Sequence, residues 1–196
     1  MSRKCSYSRE TRETRVEINL DIDSRGDIVI STPIPFFNHM LTTMFSYMNS
    51  TVSLVAIDKN PFDDHHIVED VAIVVGEALD RCLGDRVGIK RYGFVVIPMD
   101  DALVLVSIDI SGRGGAYIEL NLRRESIGGL AIENVYHFIE TLANRAGITI
   151  HVKQLNGVNT HHIIEAVFKG LGMTIYEATR IVEPGFVRST KGVLDG

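Results

Sequence analysis

Two short stretches concentrate the chemistry of this chain. Residues 63–70 read DDHHIVED and residues 159–166 read NTHHIIEA, so the pattern HHIxE is written twice. Helical spacing stacks His65 over Glu69 and His161 over Glu165, each pair on one face and within reach of one metal ion. His66 and His162 are turned away by about 100° and cannot easily join the same ion from the same helix. Adjacent histidines therefore imply two ions, or two surfaces.

Each motif is preceded at nearly equal distance by a lone histidine, His39 and His137. The inventory is six imidazoles (His39, His65, His66, His137, His161 and His162) and two carboxylates, Glu69 and Glu165. Divided over two sites, each receives three histidines and one glutamate. That nitrogen and oxygen set suits manganese, iron or zinc and leaves a coordination position open. A single HHIxE is more often a polar helix start than a ligand set; the duplication turns that balance. His151, mid-strand in ITIHVKQL, has no counterpart and reads as structural.

The elements that must carry these residues also repeat. Thr14–Ile22 alternates apolar and polar as a half-buried strand, and DIVIS returns as another. A helix follows over FFNHMLTTMFSYM, a strand over 51–57, and a long helix from His65 to near Gly84, with Asp63 or Asp64 as its cap. In the second half, 92–99 and 102–110 read as paired strands and GGAYIELNL as a third. Then come a helix closing at Gly147, a strand over 148–155, and a final helix capped by Asn159 or Thr160. The expected fold is α+β, an internally duplicated strand-strand-helix-strand-helix unit. The register pairs Ile67 with Ile163, Val71 with Val167 and Gly76 with Gly172. The expected division is 1–89 and 90–183 for the repeats, with a tail at 184–196.

Bulk properties narrow the function classes. The 196 residues are 45% hydrophobic and 23% charged, as in globular proteins, with a formal net charge of −5. An acidic balance offers no footprint for nucleic acid, and no apolar run is long enough to span a membrane. The start has no signal-peptide core. Cys5 and Cys82 form no CxxC, so the expectation is two structural or incidental thiols in a reducing cytoplasm. Arg91, Arg113, Ser189 and Lys191 lie near Gly-rich turns, where guanidinium, ammonium and backbone amides hold phosphate. Taken alone, that signal reads as solvated surface, and Glu13 as an exposed strand residue.

The motifs TRETRVE, PFFNHML, DDHHIVEDVAI, LGDRVGIKRYG, PMDDAL, DISGR, GITIHV, NTHHIIEAVFKG and STKGVL, in this order, closely resemble the imidazoleglycerol-phosphate dehydratase family nearly end to end. The resemblance implies two sheets with helices packed between them, and a homo-oligomer, a 24-mer built from trimers, with sites between subunits. It implies two divalent ions, manganese in the family, and a phosphorylated imidazole substrate dehydrated to imidazole-acetol phosphate through a metal-bound imidazolate in histidine biosynthesis. By motif, one site takes His39, His66, His161 and Glu165, and the other His65, Glu69, His137 and His162. Glu13 becomes a candidate acid/base contacting substrate, with Glu69 and Glu165 as ligands that could also relay a proton. Arg91, Arg113, Ser189 and Lys191 become phosphate ligands.

Two departures stand out. Asn38 replaces the family's usual aspartate, with the expectation that its amide oxygen accepts from the His39 ring. Gly114 replaces the usual proline after Arg113. Two other readings compete with dehydration: a dinuclear metallohydrolase with a bridging carboxylate, and a metal-binding shell protein that needs neither Glu13 nor the tail.

Overall fold

A computed structural model describes residues 3–194. Residues 195 and 196 of the tail lie outside the described residues. The elements run β1 (Lys4–Glu10), β2 (Thr14–Asp21), β3 (Ile28–Ser31), α1 (Pro35–Tyr47), β4 (Thr51–Asp58) and α2 (His65–Leu83). They continue with β5 (Tyr92–Met99), β6 (Ala102–Asp109), β7 (Gly115–Glu119), the two-residue strands β8 (Ser126–Ile127) and β9 (Leu130–Ala131), α3 (Ile132–Ala146), β10 (Thr149–Asn156) and α4 (Thr160–Thr179).

The duplication is visible in topology. The first sheet has order β1-β2-β4-β3 and the second β5-β6-β10-β7. In each, three strands precede the first helix of the half. The structure thus adds β1 to the anticipated unit. Its sequence, KCSYSRE, has no apolar alternation because it is an edge strand whose side chains are largely exposed. Within each four-stranded sheet, the last strand before the helix joins parallel to its neighbour: β3 on β4 and β7 on β10.

The four helices lie between the sheets. Alternation on β2 sends Val16, Ile18 and Leu20 inward under α2, and alternation on β6 sends Val104, Val106 and Ile108 inward under α4. The shorter helices cross over: α1 of the first repeat packs on α4 of the second, and α3 of the second on α2 of the first. Glycine makes both crossings close. A Cβ at Gly172 would stand 2.2 Å from the Met44 carbonyl oxygen, and one at Gly76 would stand 2.5 Å from Arg145 Cβ.

The cysteines correct the thiol expectation. Cys5 on β1 and Cys82 at the end of α2 form a disulfide. Strand pairing and helix packing bring together two residues 77 apart in sequence, which no local motif could announce. A bridge does not by itself locate the protein, since disulfides also persist inside some hyperthermophilic archaeal cells.

Candidate metal centres and anion pocket

The crossed helix pairs assemble two triads. His39 from α1 meets His161 and Glu165 from α4; His137 from α3 meets His65 and Glu69 from α2. Within each triad the ligand atoms lie within 4.8 Å of one another. Neither repeat could build a triad alone, because the lone histidine always comes from the other half.

In the first triad, His161 Nε2 is 3.2 Å and His39 Nε2 3.9 Å from Glu165 Oε2. Phe36 sits edge-on to the His161 ring at 5.2 Å. Lys169, one turn beyond Glu165, places Nζ 2.9 Å from Oε1. Burial works to raise the Glu165 pKa, but the Lys169 hydrogen bond and charge, with His39 and His161, outweigh it and leave it below the ordinary glutamate value. The carboxylate is held ionised, as a ligand must be.

In the second triad the His65 and His137 rings stack at 4.4 Å, with His137 Nε2 3.5 Å from Glu69 Oε1. His65 Nδ1 lies 3.0 Å from the amide oxygen of Asn134, a fully buried residue one turn before His137. Donation to that oxygen leaves His65 Nε2 bare. Beyond that loose approach to Glu69, the buried Nε2 of His137 has no hydrogen-bond partner among the described residues. Unpaired buried nitrogens are costly unless a ligand takes them. The donor set and this orphan nitrogen fit a divalent cation bound through imidazole and carboxylate.

His66 and His162 join neither triad of their own chain. His66 Nε2 lies 3.3 Å from Asp58 at the end of β4, with its ring stacked on Phe62. His162 Nδ1 lies 2.7 Å from Asp101 in the β5–β6 turn. Asn38 also departs from expectation. Its amide bonds both the N–H and the C=O of Thr32, bracing the entry to α1, and makes no hydrogen bond to His39. Its side chain is consumed by the loop that Pro33 and Pro35 bend. His151 is exposed on β10 and stacks on Tyr117 at 4.7 Å.

Glu13 sits in the β1–β2 turn, and its carboxylate has no partner among the described residues. Asp70 ties that turn to α2 by accepting from Arg9 Nε at 2.6 Å and from the Thr14 hydroxyl. Arg91, Arg113, Ser189 and Lys191 line one pocket of about 620 Å³, with Arg188 and Thr190. Asp109 grips Arg91 through two hydrogen bonds, raising its pKa above the usual guanidinium value. Arg113 and Lys191 have no ion pair among the described residues, which suits an anion pocket. Asn134, Asp101, Asp58 and Asp70 were not singled out as site residues in the sequence. Asp101 lies in PMDDAL and Asp70 ends DDHHIVED, but neither spacing marks a partner.

A family model described as imidazoleglycerol-phosphate dehydratase matches residues 32–175. The chain belongs to the imidazoleglycerol-phosphate dehydratase family. A member of that family from Saccharolobus solfataricus is 61% identical over 194 residues, covering 99% of this chain and all of the relative. One from Sulfurisphaera tokodaii is 60% identical over 89% of this chain and 90% of its own length. The crystal structure of the Pyrococcus furiosus dehydratase superposes with a TM-score of 0.83 at 39% identity, covering 96% of this chain and 100% of that one. The Staphylococcus aureus dehydratase gives 0.81 at 32% identity, covering 91% and 99%. Dehydratase structures thus share the two-sheet architecture. Among the described residues, no helix is long and apolar enough to cross a membrane.

Proposed function

We propose that this chain is a hydro-lyase that dehydrates imidazole-glycerol phosphate to imidazole-acetol phosphate in histidine biosynthesis, with two divalent ions, Mn(II) by preference, per active site. The reading is carried by one observation: two His-His-Glu triads assembled from opposite repeats in a chain of this family. His39, His161 and Glu165 would hold one ion, and His65, Glu69 and His137 the other. Bound there, the ions supply Lewis-acid charge and a template for the substrate's imidazole.

The chain's own residues do the rest. Arg113 and Lys191, without an ion pair among the described residues, offer charge to the phosphate, Arg91 is aimed by Asp109, and Ser189 adds a hydroxyl. Residues 184–196 thus act as a phosphate-binding tail on the repeats 1–89 and 90–183. Glu13, exposed and without a carboxylate partner among the described residues, is free to exchange a proton with the substrate carbon or hydroxyl. Glu69 and Glu165 serve as ligands, with a proton relay as a second duty.

Geometry favours sites shared between chains. The Arg91 amide bonds the Ala178 carbonyl at the far end of α4 from His161, about 25 Å along the helix axis. A small phosphorylated imidazole is far shorter than that. The anion pocket of one chain therefore serves the His39–His161–Glu165 triad of another, and we extend this to the second triad, with the partner's His66 and the partner's His162 completing the ligand sets. Exposed Tyr92, Phe94, Val96 and Tyr117 on the outer face of the second sheet give an apolar surface for such assembly. A 24-mer of trimers in the cytoplasm is the assembly we adopt. The two triads share no residue, which disfavours a hydrolase with a bridging carboxylate.

The test is Mn(II)-loaded protein with imidazole-glycerol phosphate, assayed for the ketone. Turnover that vanishes on chelation and on truncation after Arg188, with metal retained by the truncated form, is the expected result. No turnover by intact, loaded assemblies would sink the reading in favour of a shell protein.

A further inference from the structure

The two turns that precede the inner strands are equivalent in the repeats. Glu13 is the residue before Thr14, which opens β2, and Asp101 is the residue before Ala102, which opens β6. Both are acidic, yet they are used differently. Glu13 has no side-chain partner among the described residues. Asp101 is saturated: Oδ1 lies 2.7 Å from His162 Nδ1, and Oδ2 accepts from the Val158 and Asn159 amides at 2.7 and 3.1 Å. Those amides belong to the loop whose Asn159 side chain caps α4 by accepting from the His161 amide. In the first repeat the histidine partner is supplied elsewhere, by Asp58 at the end of β4, where β10 ends in the uncharged Asn156.

We infer that Asp101 is a positioning residue that holds His162 as its Nδ1–H tautomer, leaving Nε2 as the ligand nitrogen for a metal ion, while the equivalent Glu13 is left free for proton transfer. This inference rests on the proposed function. The physical reason is direct. A carboxylate oxygen can only accept, so the 2.7 Å contact puts the proton on Nδ1. Nε2 faces the Asn159 amide nitrogen, a donor, at 3.5 Å, and Asp100 Oδ2 stands at the longer 3.5 Å rather than at hydrogen-bond length. The charge behind the ring also makes the opposite nitrogen a better donor to a cation. The two amide bonds fix the carboxylate itself, so that the ring cannot swing without disturbing the α4 cap. The repeats thus divide one inherited acidic position between aiming a ligand and doing chemistry.

The test compares Asp101→Asn and Asp101→Ala with wild type in two measurements. Nitrogen-15 spectra of sedimented, histidine-labelled, metal-free protein report the tautomer, with His162 assigned by His162→Gln. The wild type should show a protonated Nδ1 and bare Nε2, and both variants should lose that preference. Mn(II) titration should show one of the two sites weakened roughly tenfold or more, with Asp101→Asn, which keeps an acceptor for the amides, still assembling and still binding normally at the other site. An unchanged tautomer, or unchanged affinity in Asp101→Asn, would overturn the role. If the wild type bound no Mn(II) at all, the proposed function would fall while the tautomer still decided the part played by Asp101.

Discussion

The two triads are built from the same motif and differ in everything around it. Glu165 shares its helix face with Lys169; the equivalent position in α2 is the buried Ile73. His161 is braced by the Phe36 ring, whereas His65 has the buried amide of Asn134. One centre is therefore charge-compensated before any cation arrives, and the other is set by a neutral hydrogen bond. Duplication copied the ligands, and divergence then set each one's electrostatics separately. The same contrast holds at the helix ends. In the first repeat the strand–helix contact is the Cys5–Cys82 disulfide; in the second the strand β5 comes so close that a Cβ at Gly93 would stand 2.4 Å from the Thr174 carbonyl oxygen.

The largest expected effect tests that last difference. Reduction, or Cys82→Ala, removes the staple on the first repeat and should cost about 4 kcal/mol on loop-entropy grounds. Melting with and without reductant measures it, and a wild-type transition that ignores reductant would mean the bridge contributes nothing. Next, Gly172→Ala drives a methyl into the Met44 backbone and should cost about 3 kcal/mol. It should also part α1 from α4, so that Mn(II) titration finds the His39–His161–Glu165 centre lost and the other intact. Loss of both centres together would argue that they are not independent.

Asn134→Ala should act on the opposite centre only, weakening Mn(II) there about tenfold and leaving two separable binding phases. The smallest effect is at Lys169. Lys169→Met removes a competing cation from Glu165 and should tighten that centre by a few-fold at most, in line with partly exposed ion pairs worth about 1 kcal/mol or less. Weaker binding in that variant would show that Lys169 aims the carboxylate more than it competes for it.

Much of this was readable in advance because it is local. Four-residue spacing puts a histidine over a glutamate wherever a helix forms, and repetition marked both helices, both lone histidines and the matched glycines. The signal failed where a partner is distant or the pattern is polar. β1 carries no apolar alternation, so nothing in the sequence marked a strand there. Asn38, beside His39 in sequence, was expected to serve that ring, but the Pro33–Pro35 bend turns it onto Thr32. Asn134, with no motif of its own, does the equivalent work on His65 from another helix.

The sequence by itself determined the ligand types, their pairing along each helix and the fact of duplication, since these follow from helical geometry over a few residues. Only the tertiary structure decided which lone histidine joins which helix, because that depends on α1 and α3 crossing to the opposite repeat. It also decided which carboxylates are spent on holding neighbours and which, like Glu13, stay free. Those outcomes depend on contacts between residues tens of positions apart, and such contacts exist only once the core between the sheets has packed.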